Sequence, residues 1–386
     1  MSARRVLFVT HAYPRHATDG AGSFLHRLAL GLQAGGCTVR VLAPSGPKLP
    51  PREALEGVEI RRYRYAPAGM ESLAYTGTMA EQVLGSLSGT GAMLGMLTAG
   101  TMAVRRAIED FDPDVVHAHW WFPSGLLAIG ADSERPLVTT MHGSDVRLAR
   151  KLKLSHPFFR RVMARSSAVT VVSSWLAGEA RAIAPTTDFR VAPMPVDTAL
   201  FTSESVTRVP GRFLFVGRLN AQKGVRDLLE ALSWAPAATS LDVVGAGEDR
   251  EALQARAREL GVDMRVHWHG HLDRSALPAL YRRAQAVVMP SVNEGLGLVA
   301  VEAQLARTPV IAYRSGGLPD VVDASWGGIL VKSGDVRELA AAMARVHADP
   351  AAVDGWGAAA RSVMLDRFAP SVVCAGYRAL YDRVVR

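Results

Sequence analysis

The chain has 386 residues, of which 49% are hydrophobic and 21% are charged, and its formal net charge is +8. The length suggests two domains of ordinary size, and the composition excludes a disordered chain, a fibrous repeat and a small disulfide-stapled scaffold. Cys37 and Cys374 lie far apart without metal-ligand spacing, which favours a reducing compartment. We therefore expect a cytoplasmic protein.

The first part of the chain alternates between short apolar runs and longer helical patterns. Val6–Thr10 is too short for a secretory signal and is predicted to be a strand, followed by a helix at Ser23–Ala34 and a strand at Thr38–Leu42. Further strands are predicted at Val115–His119, Leu137–Met141 and Ala168–Val172. This repeated strand–helix order predicts a parallel sheet with helices on both faces.

The uncharged segment from Gln82 to Val104 contains five glycines, so it is less apolar than a typical membrane span. We expect a helix that is buried or lines a groove, with membrane contact as the alternative.

Positive charge is concentrated in residues 1–195, where Lys and Arg outnumber Asp and Glu by seven. In residues 196–386 the excess of Lys and Arg is only one. Seven of these cations fall within nineteen residues that contain no acid. They are Arg147, Arg150, Lys151, Lys153, Arg160, Arg161 and Arg165. Such a cluster can meet phosphates or an anionic membrane face, and a solvated basic helix is an equally good interpretation.

A second strand–helix series begins after the two prolines of Ala192–Asp197. Its strands are predicted at Arg212–Val216, Leu241–Val244, Val266–His269, Ala286–Met289 and Val310–Ala312, with helices at Asp249–Leu260 and Asp335–Ala348. We expect an α/β fold of two Rossmann-like, doubly wound domains, residues 1–194 and 195–366, that face each other across a central cleft. A C-terminal helix near 367–386 is expected to pack back on the first domain.

Ligands of open parallel sheets bind beyond the carboxyl ends of the strands, so the loops there are candidate sites. The first such loop holds Gly20 and Gly22 directly before a helix, where glycines let a ligand approach the backbone and the helix start offers N–H groups to an anion. The spacing lacks the full G-x-G-x-x-G pattern, so an ordinary strand–helix turn is an equal alternative.

Arg218 and Lys223 flank the turn after the strand that ends at Val216, just before the next predicted helix. Cations near a helix N-terminus oppose the helix dipole, so a bound anion explains them better than helix stability does. We interpret the two as a phosphate clamp. The loop is not a Walker loop, because its lysine is followed by glycine instead of Ser or Thr.

A third loop carries Glu294, and the helix that follows carries Glu302. Both carboxylates can accept hydrogen bonds from sugar hydroxyls. The amides of Gly295, Leu296 and Gly297 can hold a diphosphate.

In the first domain, His142 ends a strand and precedes a glycine, which favours exposure of its ring in the cleft over burial in the core. Trp120 and Trp121, whose rings can stack on sugars, and Asp145 are further candidate site residues of the first domain. Core packing is an equal alternative for the two tryptophans.

Two metal interpretations fail on the sequence. Asp112-Pro113-Asp114 has a D-x-D form but lies at the start of a strand, away from the carboxyl ends. His267, His269 and His271 alternate, yet no Cys or carboxylate completes a ligand set. We expect no metal and no cofactor.

Together these motifs resemble the retaining glycosyltransferases of family 4, which have the GT-B fold. The resemblance covers nearly the whole chain. It is carried by Tyr13-Pro14 with the glycine loop, Thr140–Asp145, Pro195–Phe201, Gly217-Arg218 with Lys223-Gly224, and Glu294–Gly297 with Glu302. Asp19 stands where the family often has the first of two glycines.

The resemblance implies that a sugar moves from a UDP- or GDP-sugar to a hydroxyl acceptor, with retention of configuration, in cell-surface glycan, glycolipid or secondary-metabolite synthesis. It places Arg218 and Lys223 on the diphosphate, Glu302 on the ribose hydroxyls and Glu294 on the transferred sugar. The nucleotide sugar is a co-substrate, and no metal is required.

The same resemblance places the nucleotide base near His271 and Leu272, and His142 beside the reacting sugar. The amides of Gly20 and Gly22 would then reach the phosphates from the first domain. Since acceptors in this fold bind mainly the first domain, the resemblance makes Trp120, Trp121 and Asp145 the candidate acceptor contacts.

Other function classes stay open: a nucleotide-sugar epimerase, another GT-B enzyme, or a donor-binding protein without turnover. A nucleic-acid-binding protein is not supported, because the basic surface lacks a binding module or interleaved aromatics. The sequence leaves open the donor base, the sugar, the oligomeric state and whether the acceptor is a glycan, a lipid-linked compound or a small molecule. It also leaves open peripheral association with the inner face of the membrane.

Overall fold

We describe the fold from a computed structural model, which describes residues 3–17, 19–20, 22–67, 69–75, 86–132, 134–202 and 207–385. The chain forms two compact units, one of Met1–Pro195 with Pro370–Arg386 and the other of Val196–Ala369. The first unit therefore contains both ends of the chain.

The first unit is built on an eight-stranded sheet with the order β3-β4-β2-β1-β5-β6-β7-β8. The strands are β1 (Arg5–Val9), β2 (Thr38–Pro44), β3 (Arg52–Leu55), β4 (Val58–Tyr63), β5 (Val115–His119), β6 (Leu137–Met141), β7 (Ala168–Val171) and β8 (Phe189–Val191). All neighbours are parallel except β3 and β4, which form an antiparallel hairpin at the edge. The strand order reverses between β1 and β5, so the loops after these strands adjoin the switch point where such sheets bind ligands.

The helices of the first unit connect these strands. They are α1 (Ser23–Ala34), α2 (Leu87–Phe111), α3 (Leu126–Ala131), α4 (Ser144–Lys151), α5 (His156–Arg165), α6 (Ser174–Arg181) and, numbered last in the chain, α13 (Pro370–Val384). A π-helical turn at Trp121–Gly125 leads from β5 into α3. α13 packs on α1, where the Cys374 sulfur lies 3.8 Å from the backbone oxygen of Leu28.

The second unit is built on a six-stranded, wholly parallel sheet with the order β11-β10-β9-β12-β13-β14. The strands are β9 (Arg212–Val216), β10 (Ser240–Val244), β11 (Val266–Gly270), β12 (Ala286–Met289), β13 (Val310–Tyr313) and β14 (Gly328–Val331). The helices are α7 (Val225–Trp234), α8 (Arg250–Glu259), α9 (Leu277–Arg283), α10 (Leu298–Leu305), α11 (Val336–Ala348) and α12 (Pro350–Phe368). Here the order reverses between β9 and β12.

The predicted strands and helices are confirmed, with ends that differ by one or two residues, except that the helix expected near 367–386 begins three residues later, at Pro370. The β3–β4 hairpin, β8 and β14 were not predicted. The hairpin could have been predicted from the sequence, because Glu56 and Gly57, both with positive φ, form a two-residue turn between short strands.

The uncharged segment expected at 82–104 is only partly within the described residues, which resume at 86. From Leu87 it belongs to α2, whose inner face buries Met96 and Val104 and whose outer face exposes Leu94 and Met102. Of the helices in the described part of the chain, none has the length and apolar character needed to cross a bilayer.

Candidate active site

The loop after β9 brings Arg218 and Lys223 to the switch point of the second unit. Lys223 ends a short 3-10 turn, and Gly224, with φ of 67°, is the N-cap of α7. A Cβ at Gly224 would lie 2.1 Å from the backbone oxygen of Pro290. This contact joins the loop after β9 to the loop after β12.

That close approach places Lys223 against Glu294. The Lys223 ammonium donates to a Glu294 carboxylate oxygen at 2.6 Å, and both side chains are mostly buried. Arg218 lies on the same loop as Lys223 and is exposed. The loop after β13 supports Glu294 from the other side, since the Gly317 amide donates to its backbone oxygen at 2.8 Å. The structure thus brings together two of the predicted site residues, Lys223 and Glu294.

Glu302 is buried on α10, which begins after Gly297 with φ of 95°. One carboxylate oxygen accepts from the Arg274 guanidinium at 2.6 Å, and the other accepts from the Tyr281 hydroxyl at 3.1 Å. Burial raises the pKa of Glu302 above its ordinary value, and the Arg274 charge and the Tyr281 hydrogen bond partly offset that rise. Each oxygen keeps a lone pair that can accept a further donor, such as a ribose hydroxyl.

His271 and Leu272 directly follow β11, with His271 exposed and Leu272 half-buried. Two residues later the same loop supplies Arg274 to Glu302. The segment expected to hold the base therefore lies next to the carboxylate expected to hold the ribose. Of the remaining predicted contacts, Gly295 is half-buried, while Leu296 and Gly297 are buried.

In the first unit, the glycine loop lies between β1 and α1. Gly22, with φ of 70°, caps α1, and Gly20 is exposed. The Asp19 carboxylate accepts from the Arg15 guanidinium at 2.6 Å and from the Arg15 amide at 3.1 Å. At the position where the family often has glycine, this carboxylate therefore holds its own loop.

His142 lies after β6, and its ring is half-buried among other rings. The ring centroids of Phe24 and Trp120 lie 5.0 Å and 4.5 Å from that of His142. Phe24 belongs to the first turn of α1, so the glycine loop and His142 lie at the same end of the sheet. Burial lowers the pKa of His142 well below its ordinary value, which keeps the ring neutral near pH 7.

His142 belongs to a cluster of four buried or half-buried histidines. His119 Nδ1 lies 3.2 Å from His142 Nε2, so one ring donates and the other accepts. His117 contacts the Tyr381 hydroxyl at 2.8 Å and the Thr140 hydroxyl at 2.7 Å. Burial lowers the pKa of His11 to about 4 and of His117 to about 3, and lowers that of His119 well below its ordinary value.

Trp120, Trp121 and Asp145 are buried next to the histidine cluster. Asp145 accepts from the amides of Gly143 at 3.0 Å and Trp121 at 3.3 Å, and the Trp121 indole donates to the Asp145 backbone oxygen at 2.8 Å. Trp121 is 1% exposed and Asp145 is 3% exposed. Burial raises the pKa of Asp145 to about 6, although the backbone amides partly offset it. These contacts favour a role in holding the loop over direct contact with an acceptor.

The candidate metal residues make structural contacts. Asp112 accepts from the Arg135 guanidinium at 2.6 Å, and Asp114 accepts from the Arg5 amide at 2.8 Å. His269 contacts the Asp242 carboxylate at 2.7 Å. Within the described residues, no group of three or more His, Cys, Asp or Glu side chains is arranged to hold a metal ion.

Sequence reasoning missed Arg274, Tyr281 and the contact between His119 and His142. The contact between His119 and His142 could have been predicted, since His119 pairs with Thr140 in the parallel register of β5 and β6. Side chains at neighbouring carboxyl ends are expected to meet. Arg274 and Tyr281 belong to none of the motifs identified in the sequence.

Comparison with known proteins gives one consistent result. Residues 18–200 match Glycosyltransferase Family 4, and residues 205–363 match Glycosyl transferases group 1. A glycogen synthase from Mycobacterium tuberculosis is 30% identical over 94% of this chain and 91% of its own length. A 2-deoxystreptamine glucosyltransferase from Streptomyces kanamyceticus is 31% identical over 65% of this chain and 71% of its own.

Solved structures match over the whole chain. A sucrose-phosphate synthase from Thermosynechococcus elongatus covers 99% of both chains with a TM-score of 0.83 at 21% identity. Anabaena HepE, solved with UDP-glucose, covers 98% of this chain and 99% of its own with a TM-score of 0.72 at 17% identity. These likenesses show the GT-B fold. The chain belongs to the family 4 glycosyltransferases of GT-B fold.

Proposed function

We propose that this glycosyltransferase moves a hexosyl group from a UDP- or GDP-sugar to a hydroxyl acceptor and retains the configuration of the anomeric carbon. The observation that carries the proposal is the meeting of Lys223 and Glu294 at the switch point of the second unit. A cation suited to a diphosphate and a carboxylate suited to sugar hydroxyls lie 2.6 Å apart there.

Lys223 and Arg218 stabilise the leaving group. Negative charge develops on the diphosphate as the glycosidic bond breaks, and cations fixed beside it lower the barrier. Because these two side chains supply positive charge, the proposal needs no divalent metal. Glu302 accepts hydrogen bonds from the ribose, and the loop of His271 and Leu272 holds the base.

Retention follows when the leaving phosphate oxygen takes the proton of the acceptor hydroxyl on the same face of an oxocarbenium-like sugar. No protein general base is then required. The neutral ring of His142 suits a hydrogen-bond partner of the sugar, because burial keeps its pKa well below the ordinary value.

UDP-glucose is the first donor to examine. HepE, which shares the fold, was solved with UDP-glucose, and one sequence relative is named a glucosyltransferase. The relatives' names cover glycogen, 2-deoxystreptamine and D-inositol 3-phosphate, so the acceptor is proposed only as a hydroxyl of a glycan, a lipid-linked compound or a small molecule.

Thermal unfolding with UDP, GDP, ADP and their glucose conjugates tests the donor site. Saturation at about 100 times the dissociation constant stabilises a protein by roughly 2.7 kcal/mol. We expect stabilisation by one base, reduced in Glu302→Gln, which keeps the shape of the side chain and removes its charge. The absence of stabilisation by any nucleotide would contradict the donor site.

Product analysis tests the reaction. With acceptor present, the anomeric proton coupling of the product should match that of the donor, and EDTA should leave the rate unchanged. Conversion of the nucleotide sugar into its epimer without acceptor would show an epimerase. An inverted product, or a rate abolished by EDTA and restored by a divalent cation, would overturn the corresponding part of the proposal.

A further inference from the structure

A turn in the first unit exposes three large apolar side chains beside cations. It joins the end of α4 to the start of α5 through a 3-10 turn at Lys153–Ser155. Leu152 is 43% exposed, Leu154 is 83% exposed and Phe158 is 55% exposed. We call these three residues, together with Lys151, Lys153 and Arg161, the basic-apolar turn.

Contacts within the basic-apolar turn and with α4 fix its conformation. The Ser155 hydroxyl donates to the Leu152 backbone oxygen at 2.7 Å, and the His156 ring lies 3.2 Å from the Ala149 backbone oxygen. α5 buries Phe159 and its inner neighbours in the core, so adjacent Phe158 lies on the outer side. The three apolar side chains are therefore held exposed on a turn of fixed conformation, although their exposure to water costs free energy.

The charge around the turn has one sign. Between Asp145 and Glu179 the sequence contains no acidic residue. Asp145 is buried, and Glu179 is paired with Arg150. Within the described part of the chain, Lys151, Lys153 and Arg161 form no ion pair, and all three are exposed.

We propose that the basic-apolar turn docks the enzyme on an anionic lipid bilayer. Leu152, Leu154 and Phe158 would enter the boundary between headgroups and acyl chains, while Lys151 and Lys153 meet the anionic headgroups. The combination favours a bilayer over other partners. Two leucines cannot stack on nucleic-acid bases, and two copies of the same cationic patch repel each other across a two-fold axis. The inference does not depend on the donor or the acceptor of the proposed function.

Cosedimentation with vesicles tests the inference. The intact protein is mixed with vesicles of phosphatidylcholine alone, or with about a third of phosphatidylglycerol. We expect binding only to the anionic vesicles and release at high salt, since screening weakens the attraction. Leu154→Ser with Phe158→Ser should weaken binding about ten-fold or more. Lys151→Gln with Lys153→Gln should weaken it roughly five-fold per lysine.

Matched controls come from the second unit. Met264 is 87% exposed, so Met264→Ser removes an equally exposed apolar side chain, and Lys332→Gln removes an exposed lysine. Both should bind like the wild type. The inference fails if wild type binds both vesicles equally or neither, or if the controls lose as much binding as the turn variants. Sedimentation velocity tests whether the turn instead forms a contact between two copies of the chain. A wild-type dimer that is absent in Leu154→Ser with Phe158→Ser would show such a contact and contradict docking on a bilayer.

Discussion

Lys223 and Glu294 are 71 residues apart in the sequence, yet the ammonium of one lies 2.6 Å from the carboxylate of the other. Two glycines permit this, because the loop after β9 approaches the backbone of Pro290 at Gly224, and the loop after β13 approaches that of Glu294 at Gly316. The cation and the carboxylate are therefore fixed by backbone contacts at the carboxyl ends of three neighbouring strands.

Lys223→Ala should lower kcat by about a hundred-fold or more, the scale on which removal of one fixed group that stabilises transition-state charge acts. The fold should persist, because Lys223 lies on a loop with part of its side chain in solvent. Turnover of the nucleotide sugar with saturating acceptor measures the effect. Lys332→Ala in the same unit is the control, and a Lys223→Ala enzyme with nearly normal kcat would remove Lys223 from the leaving-group role.

Arg274→Ala should weaken nucleotide binding through Glu302. Removing the guanidinium leaves a buried carboxylate with one partner fewer, which should cost roughly 1–3 kcal/mol of unfolding free energy. It should also raise the pKa of Glu302 further, since the guanidinium now opposes the rise caused by burial. Nucleotide affinity should then fall at a higher pH than in the wild type as pH is lowered.

Titration calorimetry across the pH range checks this expectation. Arg274→Lys keeps a positive charge and should restore the pH profile in part, which a merely structural role would not require. Equal pH profiles for wild type and Arg274→Ala would show that Arg274 does not act on the Glu302 carboxylate.

Gly224→Ala should destabilise the second unit and abolish donor binding. The new Cβ would lie 2.1 Å from the Pro290 oxygen, so the phosphate loop must move. Gly261 is a matched control, because its φ of 66° is close to the 67° of Gly224 and a Cβ there meets nothing within 4 Å. Both variants carry the left-handed backbone penalty of about 1–2 kcal/mol. Only Gly224→Ala should lose more than that in denaturant unfolding, and equal losses would contradict the packing argument.

The sequence predicted the parts of the site that follow from strand order. Arg218, Lys223 and Glu294 all lie just after apolar runs, and parallel strands bring such positions to one edge of the sheet. The pairing of Glu302 with Arg274 did not follow, because Arg274 comes from the loop after the edge strand β11, three strands away from β12, and stands in no repeating pattern. Long-range pairs of this kind depend on the final packing.

The tryptophans show a second limit. Trp120 and Trp121 at a strand end fit either a stacking surface or a core position. The structure buries both through a backbone feature that composition does not reveal: Trp120 has φ of 68° and precedes a π-helical turn. Their indole N–H groups are satisfied within the first unit by Ser144 and Asp145.

Stability should fall steeply in weak acid. The buried histidines have lowered pKa values, about 4 for His11 and about 3 for His117, and the unfolded chain restores them to about 6.5. Between these values the unfolded chain binds more protons, so unfolding free energy is lost as pH falls below about 6.5, by up to about 1.4 kcal/mol per pH unit for each histidine. Asp145 and Glu302 act in the opposite direction, since burial raises the pKa of each carboxyl, but they are two groups against four.

Denaturant unfolding followed by tryptophan fluorescence at several pH values measures that slope. His11→Phe keeps an aromatic ring beside Trp120 and removes one proton site, so it should reduce the slope by about one proton. A stability that is flat from neutral pH to about pH 5 would contradict the buried, neutral state of the cluster.

His119 should act on catalysis through His142. Its Nδ1 lies 3.2 Å from His142 Nε2, and its own Nε2 is buried without a partner in the described structure. His119→Leu removes the contact and should lower kcat about ten-fold, because the His142 ring loses its orientation while staying neutral. His119→Asn places a polar atom near the former Nδ1 and should restore most of kcat, with the donor KM changed little in both variants. A loss in His119→Leu that His119→Asn does not recover, or a loss confined to KM, would show that His119 supports the fold or donor binding and does not position His142.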